Sequence, residues 1–299
     1  MMKLEGIAAF VATVDEGSIS AASRRLGHAK SVVSDRLAEI ERTLGVTLLQ
    51  RSTRRLSLTV AGQAFLPRAQ RILREMEEAS AELEAASGKL AGTLRVSAPV
   101  GFGVLHLGPA VSRFLKDNPG IEMSLELDDS FVDAASSGFD AVLRHGAIGD
   151  GHLIARQLAT SRRLLVASPG YLASHGTPAS LADLERRPGI LYTNRSADWR
   201  FATDSNWSVV RPRAELRVNN GLIMREAALA GLGLAMLPTF FIHEDIRRGT
   251  LVAIDLGCPT EGAELFLTYP RDNGAGAKIR AFGDSLRRSF GNPPYWEKL

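Results

Sequence analysis

From Phe65 the apolar residues run Phe65, Ala69, Ile72, Met76, Ala79, Leu83 and Ala86, at spacings that alternate between four and three. This heptad seam predicts one helix of about 30 Å, at about 1.5 Å rise per residue, flanked by the solvated charges of Arg71, Arg74, Glu75, Glu77 and Glu78. Pro67 either kinks that helix or sits in its first turn. A helix with one narrow apolar stripe needs a surface to cover it, and the chain's own body is one candidate. The chain has 299 residues, a length that predicts two or three domains.

The two sides of the seam differ in charge. Residues 1 to 60 hold nine Lys or Arg against six acids, which is the whole excess behind the net charge of +3. Residues 61 to 92 hold four against five, and the remainder 23 against 22. A basic first part beside a balanced larger one points to a polyanionic partner for the first and to something else for the second. Hydrophobic residues at 45% and charged ones at 23% exclude global disorder. The longest uncharged apolar runs, such as Leu232 to Ile242, fall short of the roughly 18 residues of a membrane span. Glu5, Asp15 and Glu16 stand where a signal peptide needs an apolar run, so neither a membrane partner nor export is expected. The single Cys258 can form neither an internal disulfide nor a multi-thiolate metal site, which fits a reducing cytoplasm.

Leu4, Ile7, Phe10, Val11 and Val14 make the stripe of a short amphipathic helix that ends at Gly17-Ser18. Ser20 to Leu26 reads as a compact helix whose alanines let another helix approach, and Gly27 as a turn. The next helix has Val32, Val33, Leu37, Ile40 and Leu44 as its buried stripe and closes at Gly45. Ala29 offers no capping side chain, so either Ser31 or the backbone caps the helix. Two short helices about a glycine turn form a helix-turn-helix, whose second helix enters the major groove of double-stranded DNA. Lys30, Ser31, Ser34 and Arg36, near the N-terminus of that helix, are the expected contacts. Leu48 to Thr59 then alternates apolar with polar residues around a basic turn, as a two-stranded wing does. Arg51, Arg54 and Arg55 there suit phosphate or minor-groove contacts.

Ala21-Ala22, Leu26, Ser34, Leu37, Ile40-Glu41, Leu44-Gly45, Leu48-Leu49, Arg51, Arg54 and Leu58-Thr59-Val60-Ala61-Gly62 together resemble the N-terminal signature of the LysR-type transcriptional regulators. For the seam, the resemblance implies a linker helix that pairs antiparallel with a second copy, in a homodimer or homotetramer. Such an assembly reads half-sites one or more helical turns of DNA apart, about 34 Å per turn. Two positions depart from the family pattern. Ala29-Lys30 stands where Ser-Gln is usual, and Asp35 where Arg is usual. Asp35 repels phosphate, which shifts the expected base contacts towards Lys30 and Arg36.

Ser87 to Gly92 has no periodicity and reads as a hinge, with a new domain from Thr93. Leu94 to Pro99 and the alternating Ile121, Met123, Leu125 and Leu127 read as strands, and Gly101 to Leu115 as a helix. Phe131 to Ser136, Phe139 to Arg144 and Arg163 to Ala167 continue the alternation, with Tyr171-Leu172 and Leu181 to Glu185 as short helices. The pattern is that of an α/β sheet covered by helices. Leu94 to Pro99, Gly138 to Arg144 and Ala230 to Pro238 resemble the effector-binding domain of the same family. The implied fold is α/β with an N-terminal all-α, winged-helix domain: a winged helix-turn-helix (1–60), a linker helix (61–88), a hinge (89–92) and a periplasmic-binding-protein-like effector domain (93–299). The last comprises two α/β subdomains, one about 93–165 and 267–292, the other about 166–266, with a small-molecule effector, anionic or aromatic, in the cleft between them. Pro99-Val100-Gly101-Phe102 opens one helix facing the cleft and Asn219-Asn220-Gly221 another. Gly101 stands where many relatives carry a Ser or Thr that holds a carboxylate, so only backbone N–H serves there. Arg144 is an anion partner in the cleft or a member of a surface salt bridge. Asn219 and Asn220 are helix caps or ligand contacts, and Arg162 and Tyr192 are assigned to the cleft by position.

No catalytic group, metal or cofactor is expected. Gly101-Phe102-Gly103 begins a dinucleotide fingerprint, but His106 stands at the third glycine, and the six histidines have no metal-ligand spacing. The sequence therefore reads as a DNA-binding transcriptional regulator controlled by a small molecule. A cytoplasmic solute-binding protein would leave the helix-turn-helix and seam unexplained, and an enzyme on the same scaffold would leave its nucleophile or base unnamed.

Overall fold

The computed structural model describes residues 2–51, 56–85, 90–129, 138–146, 153–194, 199–203, 206–270 and 276–299. The expectations for Arg54, Arg55, Ala86 and Phe131 to Ser136 lie outside these residues. The chain divides into two compact units that part between Gly92 and Thr93. Among the described residues, no helix is long and apolar enough to cross a membrane.

The first unit contains helices α1 (Leu4–Asp15), α2 (Ile19–Arg25) and α3 (Lys30–Leu44), strands β1 (Leu49–Arg51) and β2 (Leu56–Leu58), and helix α4 (Val60–Ala85). Phe10, Ala22, Val33, Leu37, Ile40, Leu48 and Ala69 are buried together as its core, with the Phe10 and Phe65 rings 5.6 Å apart. Ser18 caps α2 by accepting the Ala21 N–H at 3.1 Å. The two strands pair antiparallel, Leu49 opposite Leu58 and Arg51 opposite Leu56. Thr59 then starts α4: its hydroxyl donates to the Thr47 carbonyl at 2.7 Å and accepts the Gly62 N–H at 2.9 Å. The helix thus begins five residues before the first seam position, and Pro67 lies inside it rather than in its first turn.

Strand β3 (Ala91–Ala98) starts two residues before that division, within the segment 89–92 expected as a hinge, and leads into the second unit; α5 (Val100–Phe102), a π-helical turn (Gly103–Leu107), α6 (Gly108–Asp117), β4 (Gly120–Leu127), β5 (Ala141–His145) and β6 (Leu153–Ala159) follow. There follow β7 (Arg163–Ala167), α7 (Pro169–His175), α8 (Leu181–Glu185), β8 (Pro188–Tyr192), β9 (Arg200–Thr203), β10 (Asn206–Val209), β11 (Arg213–Val218), α9 (Gly221–Leu229), β12 (Leu234–Pro238), α10 (Thr239–Arg248) and β13 (Val252–Ile254). The chain closes with β14 (Leu265–Pro270), α11 (Ala277–Phe290) and a 3₁₀ turn (Tyr295–Glu297). Among the described residues two five-stranded sheets form, in the orders β4-β3-β5-β14-β6 and β11-β8-β12-β7-β13. In the first, β3 runs parallel to β5 and β14 antiparallel to β5 and β6. In the second, β8 is parallel to β11 and β12, and β7 antiparallel to β12 and β13.

The crossings between sheets were expected near 166 and 267; the chain leaves the first sheet after Ala159, enters the second at Arg163 and returns at Leu265. The first crossing is clamped by the C-terminal turn. The buried Trp296 donates its indole N–H to the Thr160 carbonyl at 3.0 Å, and Glu297 accepts the Arg162 backbone N–H at 2.8 Å and its Nε at 2.6 Å.

Candidate functional site

Helix α3 starts without a side-chain cap. The first intrahelical bond runs from the Val33 N–H to the Ala29 carbonyl at 3.2 Å, and Ala29, in extended conformation, occupies the capping position in place of Ser31. Lys30, Ser31 and Asp35 are exposed, and Ser34 and Arg36 are half-buried. Val32 departs from its expected place in the buried stripe: it is 38% exposed, whereas Val33, Leu37 and Ile40 are buried. Successive helical residues lie about 100° apart, so a stripe through 33, 37 and 40 turns 32 outward. Helices α1 and α2 both pack against α3 and hold it from behind. Glu41, on the same helix, accepts the Leu48 and Leu49 N–H groups at 2.8 and 3.1 Å and so fixes the first wing strand to it. The linker seam is divided. Phe65, Ala69 and Ile72 pack on their own unit's core, whereas Met76, at 47% exposure, and Ala79 are exposed.

In the second unit a cavity of about 480 Å³ lies between the two sheets. Pro99, Gly101, Phe102, Arg144 and Tyr192 are among the residues that line it. Asn219 is exposed and outside the lining, and Arg162 is held on the crossing by Glu297 instead of facing the cavity. Val100 and Asn220 meet at Asp129. One carboxylate oxygen accepts the Val100 N–H at 2.9 Å, and the other accepts from Asn220 Nδ2 at 3.0 Å. Asn220 Oδ1 meanwhile caps α9 by accepting the Leu222 and Ile223 N–H groups at 3.0 and 3.3 Å. The Asp129 carbonyl accepts Asn194 Nδ2 at 2.9 Å. One residue on from Val100 and from Asn220, Gly101 and Gly221 both face the Phe241 ring. A Cβ on Gly101 would stand 2.5 Å from its Cε1, and one on Gly221 2.3 Å from its Cζ. A side chain at either glycine would therefore need the Phe241 ring to move. Arg200 pairs with Glu261 at 3.0 Å, and with Arg144, Arg163, Asp128 and Glu264 they give the walls charges of both signs.

Next to the cavity, in the π-helical turn, His106 is buried among the Phe102, Phe240, Tyr295 and Trp296 rings. Its Nε2 lies 2.9 Å from the Phe240 carbonyl, which can only accept, so Nε2 carries the hydrogen and Nδ1 accepts from the Tyr295 hydroxyl at 2.5 Å. Burial pulls this imidazole down to about 4, against the opposing bond to the Phe240 carbonyl and with a smaller contribution from His243.

Comparison with known proteins agrees with both parts. The bacterial regulatory helix-turn-helix protein, LysR family, matches residues 4–63, and the LysR substrate binding domain matches residues 87–291. The chain belongs to the LysR family of transcriptional regulators. This LysR-type chain is 33% identical over 298 residues to the HTH-type transcriptional regulator PtxR of Pseudomonas aeruginosa, covering 98% of this chain and 95% of that one. It is similar to the solved structure of CrgA, a LysR-type transcriptional regulator from Neisseria meningitidis, with 32% identity, a TM-score of 0.62, and coverage of 96% and 99%. A full-length OxyR variant from Pseudomonas aeruginosa, at 14% identity and TM-score 0.67, shares the fold, with 96% and 98% covered. A LysR-type regulator combines a DNA-binding helix-turn-helix with an effector-binding domain, and the solute-binding-protein and enzyme alternatives are set aside.

Sequence reasoning missed Asp129, Phe241, Arg163, Arg200 and Glu261. Asp128-Asp129, directly after the alternating strand that ends at Leu127, was a usable signal, because ligand clefts of α/β folds open at strand ends. Phe241 gave none, since its ring meets Gly101 and Gly221 only through the fold.

Proposed function

We propose that this regulator reads DNA through the outward N-terminal face of α3, as a homodimer joined along α4, under the control of a small molecule held in the 480 Å³ cavity. The observation that carries the reading is the two-sided character of α3: Val33, Leu37 and Ile40 buried, Lys30, Ser31, Val32 and Asp35 exposed. Lys30 suits the acceptors of guanine, Val32 a thymine methyl and Asp35 a cytosine amino group, while Ser34 and Arg36 stand at the rim. The wing arginines Arg51, Arg54 and Arg55 serve the phosphates. Exposure of Met76 and Ala79 on a seam whose first half is already covered supports a second α4 over the far half. Residues 1–60, 61–88 and 93–299 then divide the work into reading, pairing and sensing, and a DNA partner supports a cytoplasmic location. The cavity falls within the roughly 300–1,000 Å³ of small-molecule sites.

Binding of the full-length chain to duplexes from its own upstream region tests this. Lys30→Ala and Ser34→Ala should alter which bases are preferred, by about 1–3 kcal/mol at the contacted positions. Arg51→Ala and Arg54→Ala should weaken all sequences alike and flatten the salt dependence. Unchanged affinity and preference in all four variants would overturn the groove assignment.

A further inference from the structure

The cleft is bridged twice by groups of the chain itself. The Asp129 carboxylate joins the Val100 N–H to the Asn220 amide, and one residue further along each segment the Phe241 ring fills the space left by Gly101 and Gly221. Carboxylate and ring come from opposite sides of the cleft. Asp129 follows β4 of the first sheet, and Phe241 lies in α10 beside the second. Together they present an aryl group and a carboxylate to two helix starts, which is the pair of features by which an aryl carboxylate would be recognised. We propose that Asp129 and Phe241 are a built-in stand-in for such a ligand and determine effector specificity: they hold the two subdomains together and shut aryl carboxylates out of this seat.

Charge and volume both enforce the exclusion. A second carboxylate at the Val100 and Asn220 donors would stand directly against Asp129, which already accepts from both, and would meet its like charge there. A ligand ring would have to occupy the space where Phe241 touches both glycines. The effector is then seated by the remaining walls, among them Arg144, Arg163 and the Arg200–Glu261 pair. This inference rests on the reading of the cavity as the effector site.

The test uses the full-length chain with acetate and benzoate as probes, followed by calorimetry and thermal unfolding. The unaltered chain and Phe241→Ala should bind neither probe saturably. Asp129→Ala should take up acetate, and the Asp129→Ala/Phe241→Ala double variant should bind benzoate at least about tenfold more tightly than either single variant. Saturable benzoate binding by the unaltered chain, or none by the double variant, overturns the proposal. Should the double variant fail to fold, the reciprocal pair decides. Asp129→Asn sets two amide donors face to face and should lower the unfolding midpoint, and adding Asn220→Asp should restore it; a midpoint that stays low overturns the clasp. DNA affinity measured alongside separates the two ideas. Benzoate that binds the double variant without changing DNA affinity leaves the clasp standing and removes effector control, whereas a benzoate response of the unaltered chain does the reverse.

Discussion

Acidification should loosen the second unit through His106. The folded chain keeps this ring neutral, with a value of about 4 against 6.5 for a free imidazole, so its contribution is complete above about pH 6.5 and is lost as pH falls towards 4. The whole effect is about 3 kcal/mol, and linkage gives a loss of about 2 kcal/mol between about pH 7.5 and about pH 5. The assay is urea unfolding at these two pH values, followed by tryptophan fluorescence, because the buried Trp296 ring lies 4.9 Å from the imidazole. His106→Gln is the reference. It removes the titration while keeping a group that can bond to the Phe240 carbonyl and the Tyr295 hydroxyl, and all other titrating groups are common to both chains. The variant should be less stable near neutrality yet lose about 2 kcal/mol less on acidification. Parallel losses in the two chains would refute the claim that burial of this ring makes the fold acid-sensitive.

Three further outcomes follow from the first unit. Glu41→Ala leaves the Leu48 and Leu49 N–H groups without their acceptor and should destabilise the wing by about 1–3 kcal/mol, read as faster hydrogen exchange of those two amides. Gly62→Ala would put a methyl carbon 2.1 Å from the Leu48 carbonyl oxygen, which is backbone and cannot step aside. A lower thermal midpoint by circular dichroism and a loss of at least about 1–3 kcal/mol are expected. Met76→Glu places a charge on the uncovered half of the seam and should weaken self-association at least about tenfold by analytical ultracentrifugation, without moving the unfolding midpoint of the first unit.

The first unit was largely legible in the sequence because its information is local. The spacing of Val33, Leu37 and Ile40 gave the buried face of α3, and Gly27, Gly45 and the Leu58 to Gly62 run punctuated its elements. Val32 was misread because a β-branched residue beside Val33 looks equally suited to a core, while the helical turn admits only one of the two. The seam showed a helix but not which half of it its own unit covers. In the second unit, alternation gave β4 and the apolar run gave β7, yet the clasp escaped, because Asp129, Asn220 and Phe241 converge only when both sheets are in place. Gly101 was noted for the hydroxyl it lacks; in the fold the Phe241 ring fills the space where a Cβ would stand. Arg162 was placed in the cleft by its position, but Glu297 near the C-terminus turns it onto the crossing instead.

The central claim is that two copies of one outward helix face, borne on paired α4 helices, read a single duplex. Hydroxyl-radical protection mapping of DNA upstream of the gene, with the intact chain and with Met76→Glu, tests it most directly. Two protected half-sites separated by one or more helical turns, about 34 Å each, are predicted for the intact chain, with the paired pattern lost in the variant. A single protected patch, or a paired pattern indifferent to Met76→Glu, would contradict it.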